Sequence, residues 1–236
     1  MAKGFRFISI LFSIVMAASA VSGQAVSYDP VYGPPQRKAE PINIVMRLSY
    51  ENFKYIKLLQ ASVMNYGGGE AEIERLVDQY AEASALYFQN KVEEAADKFM
   101  ENEKEILKMS QKLARQYRED SEKLLNMGIK MNIRDSLKKG LKGEKRDAVA
   151  DKYLSNAKFG VQKANDYFDR YINAPSASPR GLVTAIYYYR RSKENILGMV
   201  EVLDVDPEKK NQILTQHKKD IEDNKNKVYK SMEKEN

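Results

Sequence analysis

The sequence predicts an all-α fold: an elongated antiparallel helical bundle built round one very long helix at about residues 92–139. Three observations lead there. Apolar residues recur at three- and four-residue steps from Ile42 onward, the spacing of one face of a helix. Between Val92 and Lys139 there is no proline and a single glycine, Gly128. No segment carries a convincing strand signal of alternating apolar and polar residues between turn residues.

The first segment reads as an address and not as structure. Lys3 and Arg6 form a short positive region, Ile8 to Ala18 an apolar run, and Ala18-Ser19-Ala20 and Gly23-Gln24-Ala25 supply small residues. Charge, apolar core and small residues in that order predict a secretory signal peptide over 1–25, cleaved after Ala20, Gly23 or Ala25. The run is too short to span a bilayer, which takes about 20 residues. Export to the periplasm as a soluble chain with no further membrane span is the expectation.

Loss of Lys3 and Arg6 lowers the formal charge from +6 (39 basic against 33 acidic residues) to +4 (37 against 33). Acidic and basic residues are interleaved, which suits a solvated helix surface and argues against nucleic acid as a partner. There is no cysteine, so thiol catalysis, thiolate metal sites, disulfides and a lipid-bearing cysteine after the signal are all excluded.

Residues 26–41 hold four of the seven prolines and predict an extended arm, because proline fixes φ and removes a backbone donor. That arm is either a disordered leader or a strap lying on a neighbouring subunit, with Tyr28 and Tyr32 as aromatic anchors. A single helical domain is expected from 42 to 236. Val45, Leu48, Tyr55, Ile56, Leu59, Val63 and Met64 line its first helix, which Gly67-Gly68-Gly69 stops. A second helix, Glu70 to Phe88, presents Ile73, Leu76, Val77, Tyr80, Ala83 and Tyr87, and the chain turns at Gln89-Asn90.

In the long helix Val92, Phe99, Ile106 and Leu113 lie seven apart, with Ala96, Tyr117, Leu124 and Met131 as a companion line. Glu103, Ser110 and Asp120 fall at or beside that seam, which favours packing in a bundle over a coiled coil. Gly140-Leu-Lys-Gly143 is expected to close it. A fourth helix over 144–172 should turn Val149, Tyr153, Ala157, Val161, Ala164, Phe168 and Tyr171 inward. A loop from Asn173 to Gly181 follows, then a fifth helix, Leu182 to Leu203. Asp206-Pro207 combines a helix cap with proline at the first helical position, opening a thinly apolar, fraying helix to about Met232.

Chemistry finds no constellation to use. The single histidine, His217, stands among lysines with no metal-ligand spacing, and no Ser-His, Cys-His or Glu-x-x-His arrangement exists. Glu93, Glu94, Glu101, Glu103 and Glu105 alternate with lysines at the spacing of a solvated helix face. The glycine triplet lacks the Lys-Ser/Thr of a phosphate loop. A non-enzymatic protein with no cofactor and no metal is expected.

Two features point to other proteins instead. Arg134, Lys138, Lys139, Lys142, Lys145 and Arg146 surround the Gly140–Gly143 turn, either offsetting the helix dipole or forming a contact patch for an acidic partner. Tyrosine is abundant, at 15 residues with no tryptophan. Consecutive helix positions stand about 100° apart, so Tyr187, Tyr188 and Tyr189 cannot all enter one core. At least one is expected at the surface, where tyrosine offers contact area at small entropic cost.

Ala85-Leu-Tyr-Phe-Gln-Asn-Lys-Val-Glu-Glu-Ala-Ala-Asp-Lys-Phe99 resembles the middle of a tetratricopeptide repeat, and Leu203-Asp-Val-Asp-Pro207 the end of one. Without a 34-residue period this implies antiparallel helical hairpins and not a peptide-binding array. A signal without a lipid cysteine, a proline-tyrosine arm, long charged helices and Ile186-Tyr-Tyr-Tyr-Arg-Arg-Ser-Lys-Glu-Asn-Ile196 together resemble the flagellar coiling proteins of spirochaetes. That resemblance implies a sheath component of a periplasmic flagellar filament, with the filament core and other sheath proteins as partners. The alternative is a periplasmic helical adaptor or chaperone-like binder, which an exposed groove of Met and Leu would favour.

Overall fold

The computed structural model describes residues 40–66, 69–174 and 178–217. Residues 1–39, which hold the signal, Tyr28, Tyr32 and all of the arm but its last two residues, lie outside the described residues, as does the expected helical stretch after His217. Pro41, expected to end the arm, instead opens the first helix, where its fixed φ and missing N–H cost nothing. Among the described residues six helices follow in order: α1 (Pro41–Tyr66), α2 (Glu70–Phe88), α3 (Val92–Leu141), α4 (Ala148–Tyr171), α5 (Pro179–Val202) and α6 (Pro207–Gln216). Among the described residues there is no strand. The bundle is all-α, and α3 runs for 50 residues, about 75 Å at 1.5 Å per residue.

Hydrogen bonds explain where helices stop. After α2, Asn90 takes φ 60°, the Lys91 N–H donates to Leu86 O at 3.0 Å, and the Asn90 N–H to Tyr87 O at 3.0 Å. After α3, Gly143 at φ 74° does the same, with Glu144 N–H to Lys139 O at 2.8 Å and Gly143 N–H to Gly140 O at 3.1 Å. Both pairs satisfy the last free carbonyls around one left-handed residue. Gly140 therefore stays inside the helix, and Gly143 alone ends it.

Two expected boundaries move for a similar reason. α4 starts at Ala148 and not Glu144, because Asp147 Oδ1 accepts from the N–H groups of Val149 (2.9 Å) and Ala150 (3.2 Å). α5 starts at Pro179 and not Leu182: Ser178 Oγ accepts from Arg180 N–H at 3.3 Å and proline occupies the first turn. The loop is shorter than its composition suggested. Gly181 sits in that first turn because a Cβ there would lie 2.3 Å from the Tyr171 ring.

The seam of α3 packs largely as its spacing predicts. Ala96, Phe99, Ile106, Leu113, Tyr117, Leu124 and Met131 are buried, and Val92 is half-buried. Its polar members are absorbed by hydrogen bonds. Asn102 Nδ2 donates to Leu76 O at 3.0 Å, while Asn52 Nδ2 donates to Phe99 O at 2.9 Å and Asn102 Oδ1 at 3.1 Å. Ser110 Oγ donates to Ile106 O one turn back, at 2.8 Å.

α3 changes partners along its length. Its first turns join α1 and α2 around Val45, Leu48, Ala83 and Phe99. Its last turns join α4, α5 and α6 around Leu124, Met131, Ala157, Ile196 and Ile213. In between, Tyr117 Oη donates to Ser62 O in α1 at 3.2 Å and Ser121 Oγ to Tyr189 O in α5 at 3.4 Å. On α4, Ala157, Val161, Ala164 and Phe168 face inward as expected. Val149 does not: it sits in the first turn and is exposed, while Tyr153 and Tyr171 are half-buried.

Candidate interaction surfaces

The tyrosine triplet divides as helix geometry requires. Tyr189 is core: it is fully buried, donates from Oη to Asn165 Oδ1 at 2.5 Å, and burial pushes its hydroxyl pKa up. It is not a contact residue. Tyr187 and Tyr188 are half-buried, and their rings meet edge-on at 5.4 Å between centroids.

Two rings of α4 join them: Tyr171, which the spacing had turned into the core, and Tyr167, which it had not singled out. Tyr167 of α4 stacks on Tyr188 at 5.9 Å and on Tyr171 at 6.5 Å. Tyr171, Tyr167, Tyr188 and Tyr187 thus form a continuous half-buried cluster across α4 and α5. The signal for it was present: Tyr167 and Tyr171 are one helical turn apart. What one helix could not show was which face of α5 they would meet.

The basic turn divides too. Lys139 Nζ lies 2.9 Å from Asp135 Oδ2 and 3.9 Å from Asp147 Oδ2. The hydrogen bond to Asp135, with Asp147 and Asp204 beyond it, holds the Lys139 ammonium above its ordinary pKa. It fastens the hairpin from inside. Arg134, Lys138, Lys142, Lys145 and Arg146 are exposed, as is Lys130 one turn earlier. Beside their row runs an apolar stripe at four-residue spacing whose exposure rises toward the tip: Ile133 at 49 %, Leu137 at 62 % and Leu141 at 90 %.

Sequence reasoning missed the buried cations. Arg190 and Lys193 are almost fully buried on α5. Lys193 Nζ stands 5.5 Å from the Tyr117 ring centroid and 4.0 Å from Asp120 Oδ2, so the Asp120 noted beside the seam meets a charge there.

Two clefts lie along α3. One of about 230 Å³ lies between α2 and α3, and the ion pairs Arg75–Glu105 (2.9 Å) and Lys112–Glu72 (3.1 Å) line it. A second, of about 380 Å³, is lined by Met127 and Met131 together with Lys130, Arg134 and Lys209. Burial raises the pKa of Glu103, whose nearest cation is Arg47 at 3.8 Å, but Glu103 lines neither cleft. Among the described residues no group of three His, Cys, Asp or Glu side chains could hold a metal ion, and no helix is long and apolar enough to cross a membrane. Compared with known proteins, the chain matches no family model, no curated protein and no solved structure.

Proposed function

We propose that this protein is a non-enzymatic structural or assembly component of a periplasmic complex, most specifically of the sheath of a periplasmic flagellar filament. The observation that carries the reading is the tyrosine cluster on α4 and α5. Four rings share one surface, two of them from the triplet, and half-buried tyrosines supply contact area without side-chain freedom to lose. The exposed cations and aliphatics of the α3–α4 hairpin add a second contact patch. The order of charge, apolar run and small residues at the N-terminus supports export and cleavage.

The test is co-sedimentation of the mature chain with isolated periplasmic flagellar filaments stripped of their sheath. The chain is expected to pellet with filaments, and a Tyr187→Ser, Tyr188→Ser variant to pellet less while keeping its helical circular dichroism. A mature chain that stays in the supernatant with every filament preparation overturns the reading. The cleft that Met127 and Met131 line with Lys130 and Arg134 favours a second reading, a helical adaptor or chaperone-like binder. That protein would suppress aggregation of an unfolded client and ignore filaments.

A further inference from the structure

The two ends of α3 carry opposite charge and each displays apolar side chains. Around the α2–α3 turn, residues 82–101 hold five acidic residues (Glu82, Glu93, Glu94, Asp97 and Glu101) against two basic ones (Lys91 and Lys98), a net of −3. Glu93, Glu94 and Asp97 are exposed there, and Phe88 projects at the turn with half its surface in solvent. Around the α3–α4 turn, residues 130–146 hold seven basic residues against two acidic ones, a net of +5. Leu141 projects at that turn, with Ile133 and Leu137 behind it and Val149 exposed across it.

Acids in the first turn of α3 and lysines in its last suit the helix dipole, but that effect fades within one turn. Asp97 lies beyond the first turn, and Lys130, Arg134, Lys145 and Arg146 lie outside the last. Asp135 and Asp147 do not cancel the basic row, because both act on Lys139, inside the hairpin; Asp204 acts on it as well.

We infer that these ends bind each other between copies: the basic α3–α4 hairpin of one molecule docks, head to tail, on the acidic α2–α3 turn of a second copy of this chain. The occupant is set by charge complementarity within one sequence. A net of +5 about Leu141 meets a net of −3 about Phe88, and the apolar side chains at both tips leave water together. The two surfaces are unlike, so the contact is heterologous. Each molecule that joins presents a fresh end, and the array stays open instead of closing as a dimer. This rests on the assembly reading and supplies the longitudinal contact that a filament coat requires.

The chain has no cysteine, which makes cross-linking selective. Phe88→Cys and Leu141→Cys variants of the mature protein are prepared separately, mixed and oxidised. A disulfide-linked heterodimer is expected from the mixture and little from either variant alone, while the double variant gives a ladder of multimers. Sedimentation velocity of the unmodified protein should show association that grows with concentration and weakens at about 0.5 M salt.

Reversing Lys138, Lys142 and Lys145 to Glu should weaken association by roughly tenfold or more, as should reversing Glu93, Glu94 and Asp97 to Lys. Mixing the two reversed proteins should restore it. Leu141→Ser alters no charge and guards against misfolding of either reversal; it too should weaken association.

Homodimers from Leu141→Cys alone overturn the inference in favour of a two-fold contact. Association indifferent to both reversals overturns it, as does binding of the hairpin to vesicles of anionic lipid in place of self-association. A chain that stays monomeric yet pellets with filaments removes the head-to-tail contact and leaves the assembly reading intact.

Discussion

The first and second halves of α3 are held to their neighbours by different chemistry. In the first half the register is set by amides: Asn52 and Asn102 reach the carbonyls of Phe99 and Leu76 across three helices. The second half has such a bond as well, Asn132 Nδ2 donating to Asp151 Oδ1 of α4 at 3.0 Å, and adds close approach. A Cβ on Gly128 would stand 2.8 Å from the Met199 methyl, and one on Gly160 of neighbouring α4 would stand 3.1 Å from Ser192 Cβ on α5. A buried amide tolerates little change in partner but allows ordinary spacing between helices. A glycine contact needs no partner and tolerates little added volume. One continuous helix uses both, so two neighbourhoods with different spacing can share it.

Each half should therefore break in its own way. Phe99→Ala removes the largest fully buried apolar side chain of the first neighbourhood and should cost about 3–5 kcal/mol, read as a fall in denaturation midpoint. Gly160→Leu should cost up to about 3 kcal/mol by forcing α4 from α5, with Gly160→Ala far milder. Asn102→Ala, which leaves the buried Leu76 carbonyl without its side-chain donor, should cost about 1–3 kcal/mol. If Asn102→Ala proved neutral, the amides would not be setting register and the contrast between the halves would fail.

Leu141→Ser should change stability by no more than about 0.5 kcal/mol, because that side chain is already in solvent. It separates a surface retained for contact from one retained for folding.

The smallest effects concern two neighbouring carboxylates in the first half. Burial raises the pKa of Glu103, so its penalty on the folded state is present when it is charged and relieved as pH falls through its folded value. The hydrogen bond from Lys108 lowers that of Glu105, so its contribution is present above the ordinary glutamate range and lost as pH falls through its own folded value. Side-chain carboxyl chemical shifts followed from pH 7 to 2 should show Glu103 titrating above Glu105. The reverse order would mean that Lys108 does not hold Glu105.

Seven-residue spacing was enough to place the buried line of α3, since a straight helix repeats its face whatever packs on it. The caps at Asp206 and after Asn90 were legible for the same local reason: each satisfies backbone groups within a few residues. Boundaries were less legible where two local signals competed. Proline and serine before Gly181 read as loop until Ser178 was seen to cap a helix that begins on Pro179.

Composition and periodicity by themselves determined the helical class, the length of α3 and the need for some tyrosine of the triplet to face solvent. Only tertiary structure decided which tyrosines those were, that Lys139 is turned inward, that Lys193 is buried and that Val149 is not. The spacing within a helix specifies an angle around its axis, but burial depends on whether a second helix occupies that angle. That second helix is supplied by residues far away in the chain.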